Sequence, residues 1–263
     1  MTPAAGDDIA GAMTQAEKFE RFAALHRPGN PVILFNAWDP GSARTVAEAG
    51  AKAIATGSAS VAAAHGFQDA EALPLDLALA NAARVARAVE LPVTIDFEGA
   101  YGAEPDAVAA NMKRLAETGA IGCNFEDQVI GGEGLHPVEA QAERIRAARA
   151  AVGPDFFINA RTDIFLKTKA ATHDIAAIED ALARARAYAE AGASGFFVPG
   201  LVDLYQLAQI CTASPLPVNF MAFPGAPAAP AVAAAGVARI SHGPYPYLLV
   251  MKELKRAAET IYG

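Results

Sequence analysis

Short apolar runs alternate along the chain with longer segments whose apolar residues recur at helical spacing. The runs show no strict alternation with polar residues, which is typical of strands covered on both faces. They predict eight strands at residues 32–37, 53–56, 91–98, 122–127, 156–161, 195–199, 217–221 and 239–242. The other segments predict helices at residues 16–26, 43–49, 74–90, 105–119, 137–152, 174–192, 203–212, 226–236 and 245–262. Ser42 is expected to cap the second helix, and residues 57–60 are expected to form a small-residue loop.

Eight strand–helix units in succession predict a (β/α)8 barrel, the TIM barrel of the α/β class. Three helix-to-strand joints share one pattern, because a glycine ends the helix and the strand follows at once in EAGAKAIAT, ETGAIGCNF and EAGASGFFV. A doubly wound sheet is the alternative, but GxGxxG does not follow the first strand and no P-loop motif occurs. We therefore predict a flexible N-terminal tail at residues 1–15 and a single barrel domain at residues 16–263 that includes the C-terminal helix.

Composition narrows the classes of partner. The net charge of −8 and the sequence pI near 5.1 argue against nucleic-acid binding, because a phosphate backbone requires a basic surface. The sequence contains no run of 18 apolar residues, so no membrane span is predicted. No basic region precedes an apolar core near the N-terminus, so no secretory signal is predicted. We therefore expect no membrane attachment and a cytoplasmic location. Cys123 and Cys211 have no CxxC neighbour and are expected to be buried, reduced side chains.

Two carboxylates end the third predicted strand. One residue separates Asp96 from Glu98, and alternate residues of a strand point to the same face. Two adjacent acids repel each other unless a cation lies between them, and a hard divalent metal bound through oxygen satisfies both. The alternative is a structural pair that accepts hydrogen bonds from loop amides.

Further polar residues follow other strands, at the end of the barrel that carries the chemistry in this fold. Glu126 adds a third carboxylate, and such a set suits hydrated Mg²⁺. Arg161 is expected to bind a carboxylate or phosphonate through its planar donors, or else to neutralise Glu126. The turn at Gly57, Ser58 and Ala59 can direct backbone N–H groups at another anion. These features predict a small ligand with two anionic groups, such as a 2-oxo acid or an enol phosphate.

Weaker signals come from amide and imidazole side chains. Asn159 and Asn219 lie at strand ends and suit either ligand contact or the fixing of loops. His242 ends the last strand and either reaches the site or is a core histidine with satisfied hydrogen bonds. The remaining histidines singled out are expected on the surface or in loops: His65, His136 and His173.

Three motifs, in this order and at these spacings, resemble the isocitrate lyase / phosphoenolpyruvate mutase superfamily: IDFEGAYG, NFEDQ and INARTD. The segment TGSASVAAAHGFQD resembles its substrate-loop region and ends at Asp69. The likeness extends from about Val32 to His242 and includes the carboxyvinyl-carboxyphosphonate phosphorylmutase-like subgroup. It implies a (β/α)8 barrel that binds Mg²⁺, with Mn²⁺ as an alternative, and that stabilises the enolate or enol of a 2-oxo acid.

The resemblance also implies roles by position. Asp96 would bind the metal directly, and Glu98, Glu126 and Asp69 would hold it through water. Asp96, Glu126 and Arg161 form the expected catalytic set. Substrate contacts are expected from Trp38, Gly57, Ser58, Ala59, Arg161, Asn219 and His242. Superfamily members also exchange their terminal helix within a homodimer or homotetramer, and YPYLLVMKELKRAAETIYG has an apolar stripe for this, as an ordinary packed helix would.

The lid after the fourth strand departs from the superfamily. Members that cleave C–C bonds carry a catalytic cysteine there in a Lys-Lys-Cys-Gly-His segment, and phosphonate-forming mutases carry a Lys-Thr-Asn type of lid. Residues 129–136 read VIGGEGLH and contain neither, with Glu133 and His136 as alternative groups. We therefore expect a Mg²⁺-dependent lyase or mutase that acts on a small 2-oxo acid, dicarboxylate or phosphonate. A non-catalytic 2-oxo acid binding protein on the same barrel is the alternative.

Overall fold

The computed structural model describes residues 13–263, and residues 1–12 of the predicted tail lie outside the described residues. Eight parallel strands form one sheet: β1 (Val32–Leu34), β2 (Ile54–Ala55), β3 (Val93–Asp96), β4 (Gly122–Glu126), β5 (Phe157–Arg161), β6 (Gly195–Phe197), β7 (Val218–Met221) and β8 (Arg239–Ser241). The strands follow the order β1-β8-β7-β6-β5-β4-β3-β2, and a parallel bridge between Ala37 and Thr56 joins β1 to β2. The predicted (β/α)8 barrel is therefore confirmed.

Helices surround the sheet. They are α1 (Gln15–Ala24), α2 (Pro40–Glu48), α3 (Ser58–Ala64), α4 (Leu75–Ala88), α5 (Pro105–Ala116), α6 (Val138–Val152), α7 (Ile164–Lys167), α8 (Ile175–Glu190), α9 (Leu204–Ala213), α10 (Ala229–Ala234) and α11 (Tyr245–Tyr262). A 3-10 turn at Ala170–Thr172 follows α7. Residues 57–60 were expected to form a loop, and this is wrong because α3 begins at Ser58. Serine and alanine in that segment carry no periodic apolar signal.

The start of α2 shows how local side chains fix a helix end. Asp39 is the N-cap, and its Oδ1 accepts a hydrogen bond of 2.7 Å from the Ser42 N–H. The Ser42 hydroxyl accepts a bond of 3.1 Å from the Asp39 N–H, so the two residues form a reciprocal capping box. The prediction that Ser42 is the cap is therefore wrong by one turn, because Pro40 can occupy the first helical position and the helix begins earlier.

A polar layer crosses the interior of the barrel below the mouth. Arg239 of β8 donates a bond of 3.2 Å to Oδ1 of Asn124 on β4, which lies on the far side of the sheet. Asn159 of β5 donates to the same oxygen at 2.9 Å and to Oδ1 of Asn219 at 3.1 Å. Asn219 in turn donates to the Ser241 hydroxyl at 3.2 Å. Asn159 and Asn219 therefore join neighbouring strands inside the barrel, which is neither the ligand contact nor the fixing of loops considered for them.

Aromatic side chains close the barrel at the N-terminal end of its strands. Phe22 of α1 is fully buried and packs edge-on against Phe157 at the start of β5, with ring centroids 5.2 Å apart. The His26 ring also stacks on the Phe157 ring, with centroids 4.3 Å apart. Burial, and then the charge of Arg239, lower the pKa of His26 to about 3, so its ring is neutral at physiological pH. Helix α1 thus forms the floor of the barrel.

Helix α11 leaves most of its apolar side chains uncovered. Of its residues, only Pro246 is buried, whereas Leu248, Leu249, Val250, Leu254, Ile261 and Tyr262 are exposed. The outer face of β1 is also uncovered, because Ile33 and Phe35 remain exposed beside a cavity of about 670 Å³. Within residues 13–263, no helix is long and apolar enough to cross a membrane.

Candidate active site

Asp96 lies at the end of β3, where three hydrogen bonds fix its carboxylate. Its Oδ2 accepts bonds from the Ser58 N–H at 3.0 Å and the Ser58 hydroxyl at 3.1 Å. Its Oδ1 accepts a bond of 3.2 Å from Nδ2 of Asn124. The polar layer locks Asn124 in this orientation, because Arg239 and Asn159 both donate to its Oδ1. The sequence of the barrel interior therefore sets the direction of the Asp96 carboxylate.

Glu98 lies beyond the end of β3, in a turn with unusual backbone angles. All five non-glycine residues with positive φ in residues 13–263 belong to two neighbouring segments: Ala70, Glu71, Glu98, Ala100 and Tyr101. Such angles cost energy for residues with a Cβ and persist where the surroundings impose them. Their confinement to these two segments indicates that the surrounding structure imposes unfavourable backbone angles here, and these angles position the side chains of the site.

Glu71 holds the two strained segments together. Its N–H donates a bond of 2.8 Å to the Glu98 carboxylate, and its own carboxylate accepts a bond of 2.7 Å from the Tyr101 N–H. A Cβ at Gly99 would lie 2.9 Å from the Glu71 carboxylate, so a larger residue there would displace that carboxylate. Arg144 of α6 donates to the carbonyls of Gly99 at 2.7 Å and Gly102 at 2.9 Å. The position of Glu98 is therefore fixed from both sides.

Glu126, at the end of β4, forms an ion pair with Arg161 at the end of β5. The distance from Arg161 Nη1 to Glu126 Oε2 is 2.8 Å. Asp163 accepts two further bonds from Arg161, at 2.6 Å from Nε and 2.9 Å from Nη2. Every nitrogen of this guanidinium therefore faces a carboxylate. The arrangement contains the Glu126 neutralisation considered above, and it leaves two acids for one cation.

Asp127 has a structural environment. Its Oδ2 accepts bonds from Arg184 at 2.9 Å and the Tyr188 hydroxyl at 2.8 Å. Its Oδ1 accepts a bond of 3.0 Å from the Asp163 N–H. These contacts anchor the loop after β5 to α8 and engage both oxygens of Asp127.

Burial and neighbouring negative charges raise the pKa values of Glu98 and Glu126 at the mouth. Burial first, and then the charges of Asp69 and Asp96, raise the pKa of Glu98 to about 8. Burial raises the pKa of Glu126 well above its usual range, against the opposing charge of Arg161. Negative charge is thus in excess here, and the donors are oxygen atoms, the ligands that Mg²⁺ prefers. The residues fit a divalent metal.

No group of three or more His, Cys, Asp or Glu side chains converges on a point within residues 13–263 in the manner of a fully protein-bound metal. Mg²⁺ does not require such a group, since it keeps several waters and is bound through one or two carboxylates.

A cavity of about 190 Å³ opens at the mouth of the barrel beside Asp96. Five of the predicted residues line it: Ser58, Ala59, Asp69, Asp96 and Arg161. The remaining lining residues include Asn36, Asn124, Leu166, Phe197, Met221, Ser241, Gly243 and Pro244. Gly57 adjoins this wall, because a Cβ on it would lie 3.1 Å from the carbonyl oxygen of Gly243.

Three predicted substrate contacts lie outside this cavity. Trp38 lines a separate cavity of about 290 Å³ and packs edge-on against Tyr247 at 5.2 Å. Asn219 is buried in the polar layer. The His242 ring lies 3.0 Å from the Leu34 carbonyl oxygen and packs against Phe35, because β8 directs this side chain outward. The alternative of a histidine with a satisfied hydrogen bond describes His242 better.

The lid forms a compact turn after β4. The Val129 N–H donates a bond of 3.2 Å to the Gly134 carbonyl, and residues 131–134 are exposed. His136 lines a cavity of about 210 Å³ with Glu71, Tyr101 and Arg144, and Glu133 is exposed. Neither Glu133 nor His136 lines the cavity beside Asp96. His173 was expected in a loop or on the surface; it does lie in a loop, but it is buried against Phe165.

Cys123 points away from the site. Its thiol lies 3.7 Å from the Met112 sulfur of α5, on the outer side of β4. Burial raises the pKa of the Cys123 thiol far above its usual range, so the thiolate does not form near neutral pH. The thiol has no access to the mouth of the barrel.

Sequence reasoning missed three residues that shape the site. Glu71 and Arg144 come from a loop and a helix, so the list of strand ends could not include them. Arg239 opens β8 and is fully buried inside the barrel, and it was absent from the predicted site residues. A charged residue at the start of an otherwise apolar strand was the available signal for Arg239.

Comparison with known proteins places this geometry in a family. Residues 22–262 match the family model described as phosphoenolpyruvate phosphomutase. A candidate phosphonomutase from Burkholderia cenocepacia, of known structure, is 50% identical with a TM-score of 0.92, covering 94% of this chain and 99% of that one. An uncharacterized protein of Mycobacterium tuberculosis is 34% identical, covering 91% of this chain and 88% of its own length. The 2-methylisocitrate lyase of Escherichia coli is 29% identical, with corresponding shares of 91% and 85%.

The match spans nearly the whole chain, and the barrel topology agrees with that of the solved relative. The relatives of known activity include lyases and phosphonomutases. The chain therefore belongs to the phosphoenolpyruvate phosphomutase family, within the isocitrate lyase superfamily that its motifs resemble.

Proposed function

We propose that the protein is a Mg²⁺-dependent enzyme that acts on a small 2-oxo acid or phosphonate through an enolate and breaks or moves a C–C or P–C bond. The observation that carries this proposal is the set of acids at the ends of β3 and β4, which repel one another and of which Glu126 is paired with Arg161. A divalent metal relieves that repulsion. It also supplies Lewis-acid stabilisation of a developing enolate oxygen when it is bound.

The chain's own residues have distinct roles in this proposal. Asp96 holds the metal directly, and Glu98, Glu126 and Asp69 hold it through water. Gly57, Ser58 and Ala59 contact the substrate carboxylate at the wall of the cavity, and Ser58 also orients Asp96 through its N–H and hydroxyl. Arg161, fixed by Glu126 and Asp163, directs its remaining N–H hydrogens at the substrate's other oxygens. Mn²⁺ can replace Mg²⁺ because both accept oxygen ligands.

The proposal is tested by calorimetry with oxalate, a planar dianion that resembles the enolate of a 2-oxo acid. Oxalate is expected to bind in the presence of Mg²⁺ and to lose measurable binding when EDTA is added. Equal oxalate affinity with and without EDTA would contradict the metal's role. Incubation with phosphonopyruvate followed by ³¹P NMR then separates P–C from C–C chemistry, since only the former changes the phosphorus signal.

A non-catalytic 2-oxo acid binding protein is the second candidate. The observation that favours it is the lid, because neither Glu133 nor His136 lines the cavity where a proton would be exchanged. Oxalate binding without turnover across a panel of 2-oxo acids supports this candidate, and turnover of any member of the panel excludes it.

We also propose that the protein is a homo-oligomer in which α11 packs on a second copy. The exposed leucines of α11 and the uncovered outer face of β1 support this, since both are apolar surfaces that a partner subunit would bury.

Light scattering is expected to give at least twice the monomer mass of 27.2 kDa. Leu254→Asp should shift it towards the monomer, whereas Leu77→Asp on α4 should not. A monomeric wild-type protein would contradict the proposal. We further predict that the oligomer is cytoplasmic.

A further inference from the structure

The guanidinium of Arg239 lies inside the barrel with a single hydrogen-bonding partner among the described residues. Arg239 opens β8 and is 1% exposed. Its Nη2 donates a bond of 3.2 Å to Oδ1 of Asn124, whereas Nε and Nη1 have no partner within residues 13–263. Burial lowers the pKa of Arg239 to about 10, against the opposing charge of Asp96. The side chain therefore stays positively charged near neutral pH.

Other largely buried arginines of the described chain are well supplied with acceptors. Arg161 and Arg184 pair with carboxylates, and Arg144 donates to three carbonyl oxygens. Arg239 takes part in none of the ion pairs within residues 13–263. A buried charge without a counter-ion is costly, and an apolar side chain of similar volume often serves the fold equally well. The stability of the barrel therefore does not explain a cation at this position.

One amide group separates Arg239 from Asp96. The Oδ1 of Asn124 accepts the bond from Arg239, and its Nδ2 donates a bond of 3.2 Å to Oδ1 of Asp96. The amide dipole thus has its oxygen towards the cation and its N–H towards the carboxylate, and hydrogen bonds aligned in this way polarise one another. Asn159 donates to the same oxygen of Asn124, so the orientation of this amide does not depend on Arg239 alone. The distinct contribution of Arg239 is its charge.

The mouth of the barrel above this cation holds an excess of negative charge. Four carboxylates outnumber the guanidinium of Arg161 there, namely those of Asp69, Asp96, Glu126 and Asp163. A divalent metal offsets only part of this excess, and an anionic substrate adds to it. Charges in a buried site are weakly screened, so a cation one amide group away lowers the free energy of a bound anion.

We propose that Arg239 is a positioning residue that supports the substrate anion from inside the barrel, through the oriented amide of Asn124. This role rests on the proposed function, and it adds to the site a residue from beneath the cavity. It also has a sign that a purely structural role lacks. A cation beneath Asp96 repels the divalent metal and attracts the anionic ligand, so its removal acts on the two affinities in opposite directions.

Arg239→Met tests this role, because it removes the charge and leaves an apolar side chain of similar reach. Calorimetry gives the Mg²⁺ affinity first, and then the oxalate affinity at saturating Mg²⁺. The oxalate affinity is expected to fall at least about tenfold, as the loss of one unit charge at this separation in a protein interior predicts. The Mg²⁺ affinity is expected to stay the same or to rise.

Three further variants separate charge from packing. Arg239→Lys keeps a cation and should hold the oxalate affinity within about threefold of the wild type. Arg239→Gln keeps a donor for Asn124 without the charge; it should behave as Arg239→Met does, and it repeats the test if the methionine variant does not fold. Arg149→Met is the control and should leave both affinities unchanged, because Arg149 lies on α6 and bonds to the Gly192 carbonyl and the Ser194 hydroxyl.

A parallel loss of both affinities in the neutral variants of Arg239 would assign it a structural role and overturn the inference. Unchanged oxalate affinity in those variants would overturn it as well. Both results leave the proposed function intact, because the wild-type protein still binds oxalate with Mg²⁺. Failure of the wild-type protein to bind oxalate in Mg²⁺ would remove the proposed function, and this inference with it.

Discussion

Asp96→Asn is expected to weaken Mg²⁺-dependent oxalate binding by about a thousandfold. The substitution removes the charge that holds the metal directly, a contribution of several kcal/mol at about 1.4 kcal/mol for each factor of ten. Ser58 donates to one oxygen of Asp96 and Asn124 to the other, so the amide nitrogen of the variant must face one of these donors. Calorimetry with oxalate and Mg²⁺ gives the affinity, and any 2-oxo acid that the wild-type enzyme turns over should show a similar loss in kcat/KM.

The control for this variant is Asp76→Asn, which makes the same chemical change on the surface, where Asp76 pairs with Arg114. It should bind oxalate as the wild type does. In EDTA, the thermal midpoint of Asp96→Asn should be no lower than that of the wild type, because one of the mutually repelling acids is gone. Retention of wild-type affinity by Asp96→Asn would show that another residue holds the metal.

The metal-free protein is expected to lose stability as pH rises from about 5 to 9. The pKa of Glu98 is raised from an ordinary value of 4.5 to about 8, so the folded state retains a proton that the unfolded state releases. A group that binds its proton more tightly when folded costs nothing below pH 4.5, and its full burial penalty appears above pH 8. At about 1.4 kcal/mol for each pKa unit, Glu98 alone lowers the free energy of unfolding by at most about 5 kcal/mol.

The groups around Glu98 reinforce this direction. It faces Asp69, Asp96, Glu71 and Tyr101, and burial raises the pKa of Glu71 as well. Thermal unfolding in EDTA across this pH range is the measurement, with Mg²⁺ expected to flatten the curve. Glu98→Gln is the matched variant, since an amide oxygen can still accept the bond from the Glu71 N–H, and it should show a weaker pH dependence. A wild-type curve that rises towards pH 9 in EDTA would refute the assignment.

The eight strands were predictable because burial on both faces leaves continuous apolar runs that few other structures produce. The acids at their ends were predictable for the same reason, since polar residues that follow such runs in a barrel share one mouth. The order of strands followed from the barrel topology once the units had been counted. These features all depend on local pattern and on a fold with one known functional end.

The rest depends on contacts between distant segments. Glu71 is a polar residue in a loop, and nothing in its neighbourhood indicates that its backbone turns left-handed to meet Glu98. The outward direction of His242 depends on a register that one residue of slippage would reverse. Engagement of Arg161 by Asp163 follows from a bend after β5 that the motif does not specify. Side-chain direction and partner choice were thus beyond the reach of periodicity.

The floor formed by Phe22, His26 and Phe157 affects how ligands enter and leave the site. These rings pack together at the N-terminal end of the strands, so we expect ligands to enter and leave at the opposite end, through the mouth beside Asp96. If a bond is broken in the cavity, the fragment nearer the mouth leaves before the fragment that contacts the acids. The closed end of the barrel then fixes the order of product release, and the inner fragment is the product that competes with substrate for the free enzyme.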